Sequence, residues 1–138
     1  MFTVLTDINW LSVLLAAIAS FAVAGLYFTK IIAKAYVVAL GRENAPAPAS
    51  SPVTNLGPLV CVLVTTITSA VLIEALDITG IGDAVVFGLI VGVGYLTAMT
   101  FQIAINPNFP RPLFYGAINA PFFIVTSVLT ASIIVGLR

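Results

Sequence analysis

The stretch FYGAINAPFFIVTSVLTASIIVGL, residues 114–137, runs for 24 residues without an acidic or basic side chain. A helix of that length covers about 36 Å, enough for a hydrocarbon core about 30 Å thick. Its apolar residues are continuous rather than alternating, which excludes the strand of a membrane barrel. Three further stretches read the same way. Residues 8–28 and 84–105 carry no charge, and residues 58–76 carry only Glu74. The expectation is an all-α membrane protein, a single domain over residues 1–138 with four transmembrane helices in a compact bundle.

Composition agrees. Of 138 residues, 61% are hydrophobic and 7% charged, and mean hydropathy is +1.20. A soluble domain is about 25% charged, so this chain has too few polar side chains to cover a water-facing surface. Disorder is excluded by the apolar content.

The breaks between spans have local causes. NAPAPASSP, residues 44–52, is a linker that cannot continue a helix, and Pro58 suits the first turn of the second span. Gly80-Ile81-Gly82-Asp83 reads as a tight turn with Asp83 as N-cap of the third span. NPNFPRP, residues 106–112, carries three prolines. No Lys or Arg precedes the first span, only Asp7, and its apolar run exceeds a signal-peptide core, so the span is expected to be retained.

Residues 29–40 fit neither loop nor span. Joined to the first span they make a 33-residue helix, about 50 Å long and too long for an upright crossing. Lys30 and Lys34 share one face and Ile31, Ala35 and Val38 another. Two readings stand: an interfacial helical extension, or a tilted continuation that protrudes into water.

Basic residues orient the bundle. Loop 1 holds Lys30, Lys34 and Arg42, and loop 3 holds Arg111; Arg138 alone lies on the other side. Loops 1 and 3 are expected in the cytoplasm and both termini outside. With Glu43 included the cytoplasmic side sums to +3, and Asp7, Glu74, Asp77, Asp83 and Arg138 sum to −3 outside. Trp10 belongs near the outer boundary, and Tyr27, Phe28, Phe114 and Tyr115 near the inner one.

Small residues mark packing faces. Ala84, Gly88 and Gly92 recur every four residues on the third span, and Ser12, Ala16, Ser20 and Ala24 on the first. Such stripes let helix backbones approach closely. Contact within the bundle is the simplest account, and homodimerisation through Gly88 and Gly92 the sharper one. Thr65, Thr66, Thr68 and Ser69 on the second span can return hydrogen bonds to their own helix. Gln102 and Asn119 are expected instead to bond across helices, with each other as one available partner. Pro121 frees the Ala117 carbonyl and offers a kink and a polar notch.

Chemistry is scarce. The chain has no His and one cysteine, Cys61, which removes the commonest general base and metal ligand, and any internal disulfide. Cys61 reads as a buried, inert thiol. Glu74 is either a proton- or cation-binding carboxylate of a transporter or an interfacial acid beside Asp77, with Arg138 and the N-terminal amine the few cations on its side. Gly80-Ile81-Gly82-Asp83 also matches the GxGD signature of intramembrane aspartyl proteases, but no second Asp lies within another span, and that chemistry needs two carboxylates on one water.

Asn9-Trp10, Gly25-Leu26-Tyr27-Phe28-Thr29-Lys30, Arg111-Pro112-Leu113 and Ile118-Asn119-Ala120 together resemble the domain-of-unknown-function 1761 family of small bacterial four-span membrane proteins, with Pro121-Phe122 standing where a Gly-Tyr-like pair is expected. The resemblance implies a multi-spanning protein of the bacterial cytoplasmic membrane and carries over no catalytic residue. Function is expected to be non-catalytic: a helix-packing subunit that self-associates or serves a larger membrane complex. The alternative is a small transporter or ion-conducting oligomer with Glu74, Gln102 and Asn119 facing a cavity. No cofactor and no nucleic-acid partner is expected; the bilayer is the partner the composition demands.

Overall fold

The computed structural model describes residues 4–46 and 49–138. The protein is all-helical, with four helices long and apolar enough to span a membrane: Trp10–Ile31 (span 1), Pro52–Ala75 (span 2), Ile81–Ala104 (span 3) and Pro112–Gly136 (span 4). A one-turn helix, Val4–Asp7, precedes span 1, and a short helix, Ala33–Ala39, follows it.

Side chains fix the helix ends. Asn9 caps span 1, its Oδ1 accepting from the Leu11 and Ser12 amides at 3.1 and 3.4 Å. Its Nδ2 donates to the Leu137 carbonyl at 2.7 Å, tying the start of span 1 to the end of span 4. Ser51 and Thr54 form a reciprocal capping box ahead of span 2. The linker therefore ends one residue earlier than its prolines imply, because Pro52 occupies the first helical position, where a missing N–H costs nothing. Pro58 then lies inside the helix rather than in its first turn, and Thr54 loses its amide partner. Ala47 and Pro48 of the linker, and the N-terminal amine, lie outside the described residues.

The turn between spans 2 and 3 also differs from expectation. It is made at Asp77, which takes the left-handed conformation with φ of 52°. The Ile78 amide reaches back to the Ile73 carbonyl at 3.0 Å, closing span 2 with the pattern usually given to glycine. Ile81, Gly82 and Asp83 are already helical, Gly80 is the N-cap, and Asp83 sits in the first turn, where its charge faces the positive end of the helix dipole.

Residues 29–40 are neither a straight continuation of span 1 nor a loop. Span 1 widens into a π-helical turn at Tyr27–Ile31, and Ile32 breaks the helix at φ −107°, ψ 6°. The helix Ala33–Ala39 then folds back onto the start of span 4, where Tyr36 meets Tyr115 with ring centroids 5.7 Å apart. Gly41, at φ 63°, ends it against Pro110 of loop 3. Arg111 joins the same two loops: its Nη1 donates to the Val38 carbonyl at 2.7 Å and to Glu43 Oε1 at 2.8 Å. Glu43's own backbone amide, and then the Arg111 guanidinium, hold its carboxyl below the usual carboxylate range.

Span 4 is the hub. Gly88 and Gly92 of span 3 lie on its backbone: a Cβ at Gly88 would sit 2.5 Å from the Val128 Cα, and one at Gly92 2.8 Å from the Ile124 Cα. On the opposite flank Ser12, Ala16 and Ser20 of span 1 are buried, and Ser20 Oγ meets Thr130 Oγ1 of span 4 at 2.9 Å. Both small-residue stripes therefore point at span 4; Ala84 is fully buried and Ala24 half-buried.

Candidate functional site: an uncharged cleft beside span 2

Span 2 stands apart. Only 17% of its most apolar window is buried, against 39% for span 4. Its buried residues are Thr66, Ala70 and Ile73, all in its second half. Ala70 and Ile73 pack into the cluster of Val13, Ala16, Phe87, Ala131 and Ile134, toward the end of the bundle carrying the described chain termini. No residue from 52 to 65 is buried. From Thr66 the same face continues, at helical spacing, as the wall of a cleft through Val62, Pro58 and Asn55. Pro58 has no N–H with which to stiffen the first turns of span 2.

The cleft has a volume of about 1500 Å³ and is bounded by span 2 on one side and spans 1, 3 and 4 on the other. Among the described residues, no lining side chain is acidic or basic. Its polar groups are hydroxyls and amides, and several bond their own helix. Thr65 Oγ1 donates to the Cys61 and Val62 carbonyls, both at 3.0 Å, and Thr68 Oγ1 to the Val64 carbonyl at 2.8 Å. Thr126 Oγ1 donates to the Phe122 carbonyl at 2.7 Å.

At the mouth, toward loops 1 and 3, the hydroxyls of Tyr36 and Tyr115 stand 3.4 Å apart. That is long for an O–H···O bond, so the pair keeps hydrogen-bonding capacity for another group. Burial, and then the Tyr115 hydroxyl, push the Tyr36 phenol well above its usual range, so Tyr36 stays neutral. Tyr27, Phe28 and Phe122 pack behind it, with centroids of Phe28 and Phe122 5.0 Å apart.

The polar trio of the transport alternative is not assembled. Asn119 is buried and borders the cleft, but its Nδ2 donates to the Tyr115 carbonyl of its own helix at 2.7 Å. The amide thus donates within its own helix rather than across helices, contrary to expectation, because a helical carbonyl has a second lone pair. Gln102 is exposed and outside the cleft, so the two amides do not meet. Glu74 is in the last turn of span 2, where Arg138 Nη2 donates to its Oε1 at 2.7 Å. Arg138 also reaches the Ile78 carbonyl at 2.9 Å and Asp77 at 3.4 Å. Glu74 is an acid clasped by a guanidinium at the bundle end, and it does not border the cleft.

Two other expectations change. Cys61 is not buried; it is exposed on the cleft wall, because span 2 stands away from the bundle. Pro121 lies within an unbroken helix, and the Tyr27 hydroxyl donates at 2.8 Å to the Ile118 carbonyl, the one after the Ala117 carbonyl that Pro121 frees. Two features carried no sequence signal. The centre of span 3, Ile90–Thr97, is π-helical, and the buried Thr97 Oγ1 within it has no hydrogen-bond partner among the described residues. Thr97 differs in nothing by sequence from Thr100, which bonds the Leu96 carbonyl at 2.7 Å.

With this arrangement in view, comparison with known families is decisive. The model of the family described as "Protein of unknown function (DUF1761)" matches residues 11–135. The chain belongs to that family. The match reaches into all four helices and covers the residues Gly25–Lys30, Arg111–Leu113 and Ile118–Ala120 from which the resemblance was drawn, with Asn9-Trp10 just before it. No curated protein and no solved structure matches it.

Proposed function

We propose that this DUF1761 protein is a non-catalytic, multi-pass subunit of a bacterial cytoplasmic membrane that self-associates, with the outward surface of spans 1 and 2 as its contact face. The observation that carries this reading is the poor burial of span 2, which has more surface to gain than any other span when a neighbouring helix arrives. Helix association in lipid is driven by van der Waals packing and favours small residues. An apolar groove of about 370 Å³ between spans 1 and 2 offers that, with Ala17 and Ala22 between Leu14, Ile18, Leu59 and Leu63. Gly88 and Gly92 are less suited to the role, since span 4 already covers them.

The non-catalytic part rests on the sequence, which has no His and keeps its acids at span ends. The transporter alternative retains only Asn119 beside the cleft. The experiment is the mass of the purified protein in mild detergent by light scattering, with whatever co-purifies identified. A dimer or larger species weakened by Ala17→Leu supports the reading; a strict monomer without a partner refutes it.

A further inference from the structure

A void of about 1500 Å³ on the flank of a membrane protein has to be filled, because unpaired walls forfeit their dispersion contacts. Water is a poor filler: each buried water needs two to four polar partners, about three on average, and Thr65, Thr68, Thr126 and Asn119 already donate to their own helices. A charged headgroup is a poor filler as well, since no acidic or basic side chain borders the space. The volume exceeds the roughly 300–1,000 Å³ of a site for a drug-sized ligand. The cleft runs along span 2 from Leu76 and Leu72 at one end to Asn55 at the other, where Tyr36 and Tyr115 also border it. Its long apolar walls end in uncharged donors.

We propose that this cleft seats one membrane lipid with an uncharged, hydrogen-bond-accepting head, the chemistry of a diacylglycerol. Its chains lie along the Pro58–Thr66 face of span 2, and its head meets the Tyr36–Tyr115 hydroxyl pair. The proposal goes beyond self-association and does not rest on it: the cleft is on the inner side of span 2, and the groove for a second copy on the outer side. Each tyrosine hydroxyl has one hydrogen, and one of the two is left over even when the pair is bonded. That hydrogen has an ester carbonyl as its natural partner.

Cys61 on the cleft wall is a built-in reporter. The full chain in dodecylmaltoside is treated with N-ethylmaleimide, and modification of Cys61 is followed by intact mass. Dioleoylglycerol in the micelles is expected to slow the reaction about fivefold, the protection given by free ligand at about four times its Kd. Dioleoylphosphatidylglycerol at the same mole fraction is expected to slow it less than about twofold, as an occupancy below one half requires. A Val60→Cys, Cys61→Ser variant places the thiol one residue away on the exposed outer face, and neither lipid should protect it. Thr65→Val should keep the diacylglycerol effect and Thr65→Phe should lose it. Equal protection by the anionic lipid, or protection by neither, overturns the proposal on the unmodified protein alone. So does protection that rises with protein concentration in the absence of lipid, which would place a helix of a second copy in the cleft. The oligomer mass is read separately, so failure of one reading leaves the other standing.

Discussion

Gly88→Ala is the sharpest probe of how spans 3 and 4 are held together. The added Cβ would lie 2.5 Å from the Val128 Cα, 2.8 Å from the Val128 nitrogen and 2.9 Å from the Ser127 carbonyl oxygen. Ordinary contact begins at 3.4 Å, so the two backbones must separate by about 1 Å. Every crowding atom is backbone, so no rotamer change relieves it. Overpacking of this kind costs about 1–3 kcal/mol, and the upper part of the range applies where neither side yields. At 2–3 kcal/mol the folded-to-unfolded ratio falls roughly 30- to 150-fold. Gly94→Ala is the control: nothing lies within 4 Å of its Cβ position, so the change stays within about 1 kcal/mol, the propensity difference between Gly and Ala. The assay is titration from mild detergent into dodecyl sulfate, followed by circular dichroism. The loss at Gly88 should not depend on protein concentration, because the contact lies within one chain. Equal stability of Gly88→Ala and wild type, an equal loss at Gly94, or a concentration-dependent loss would refute the reasoning.

Asn9→Ala removes both the cap of span 1 and the tie to Leu137, and should cost about 1–2 kcal/mol in the same titration. Arg138→Lys should not rescue what Arg138→Ala loses, because an ammonium cannot reach Glu74 and the Ile78 carbonyl as a fork does; the midpoints of the two variants should nearly coincide. For Glu43 the folded pKa is depressed, so its contribution is present above the unfolded value and lost as pH falls through the folded one. The thermal midpoint should therefore fall at pH below the ordinary carboxylate range, and the acid limb should be shallower in Arg111→Met. In intact cells of a Cys61→Ser background, an impermeant maleimide should modify a cysteine at Thr79 and spare cysteines at Asn44 and Asn108, the pattern that cytoplasmic loops 1 and 3 require; the reverse pattern would invert the orientation.

The four helices were legible because a span is announced by composition alone: some 20 apolar residues in a row permit little else in lipid. The small-residue stripes were legible as packing faces for a similar reason, but not their partner, since spacing gives a face and not what lies against it. Both converge on span 4. The cleft was not legible. It depends on the angle at which span 2 leaves the bundle, set by Pro52 at the first helical position, Pro58 within the helix and a left-handed Asp77 at its far end. Asp77 carries no glycine-like signal, and the glycines at 80 and 82 drew the turn away from it. The partner of Asn119 was not legible either, because the acceptor is the second lone pair of the Tyr115 carbonyl in its own helix, and sequence spacing does not mark which carbonyls take a second donor.

The central place of span 4 bears on how the molecule is made. Membrane helices enter the bilayer in chain order, and here the last to enter carries the surface against which spans 1 and 3 are fitted. Until it arrives, Gly88 and Gly92 lack the backbone they lie against, and Ser20 lacks its Thr130 partner. Spans 1–3 are therefore an intermediate without its keystone, and a ribosome paused after loop 3 would hold the nascent protein at its most vulnerable to quality-control proteases.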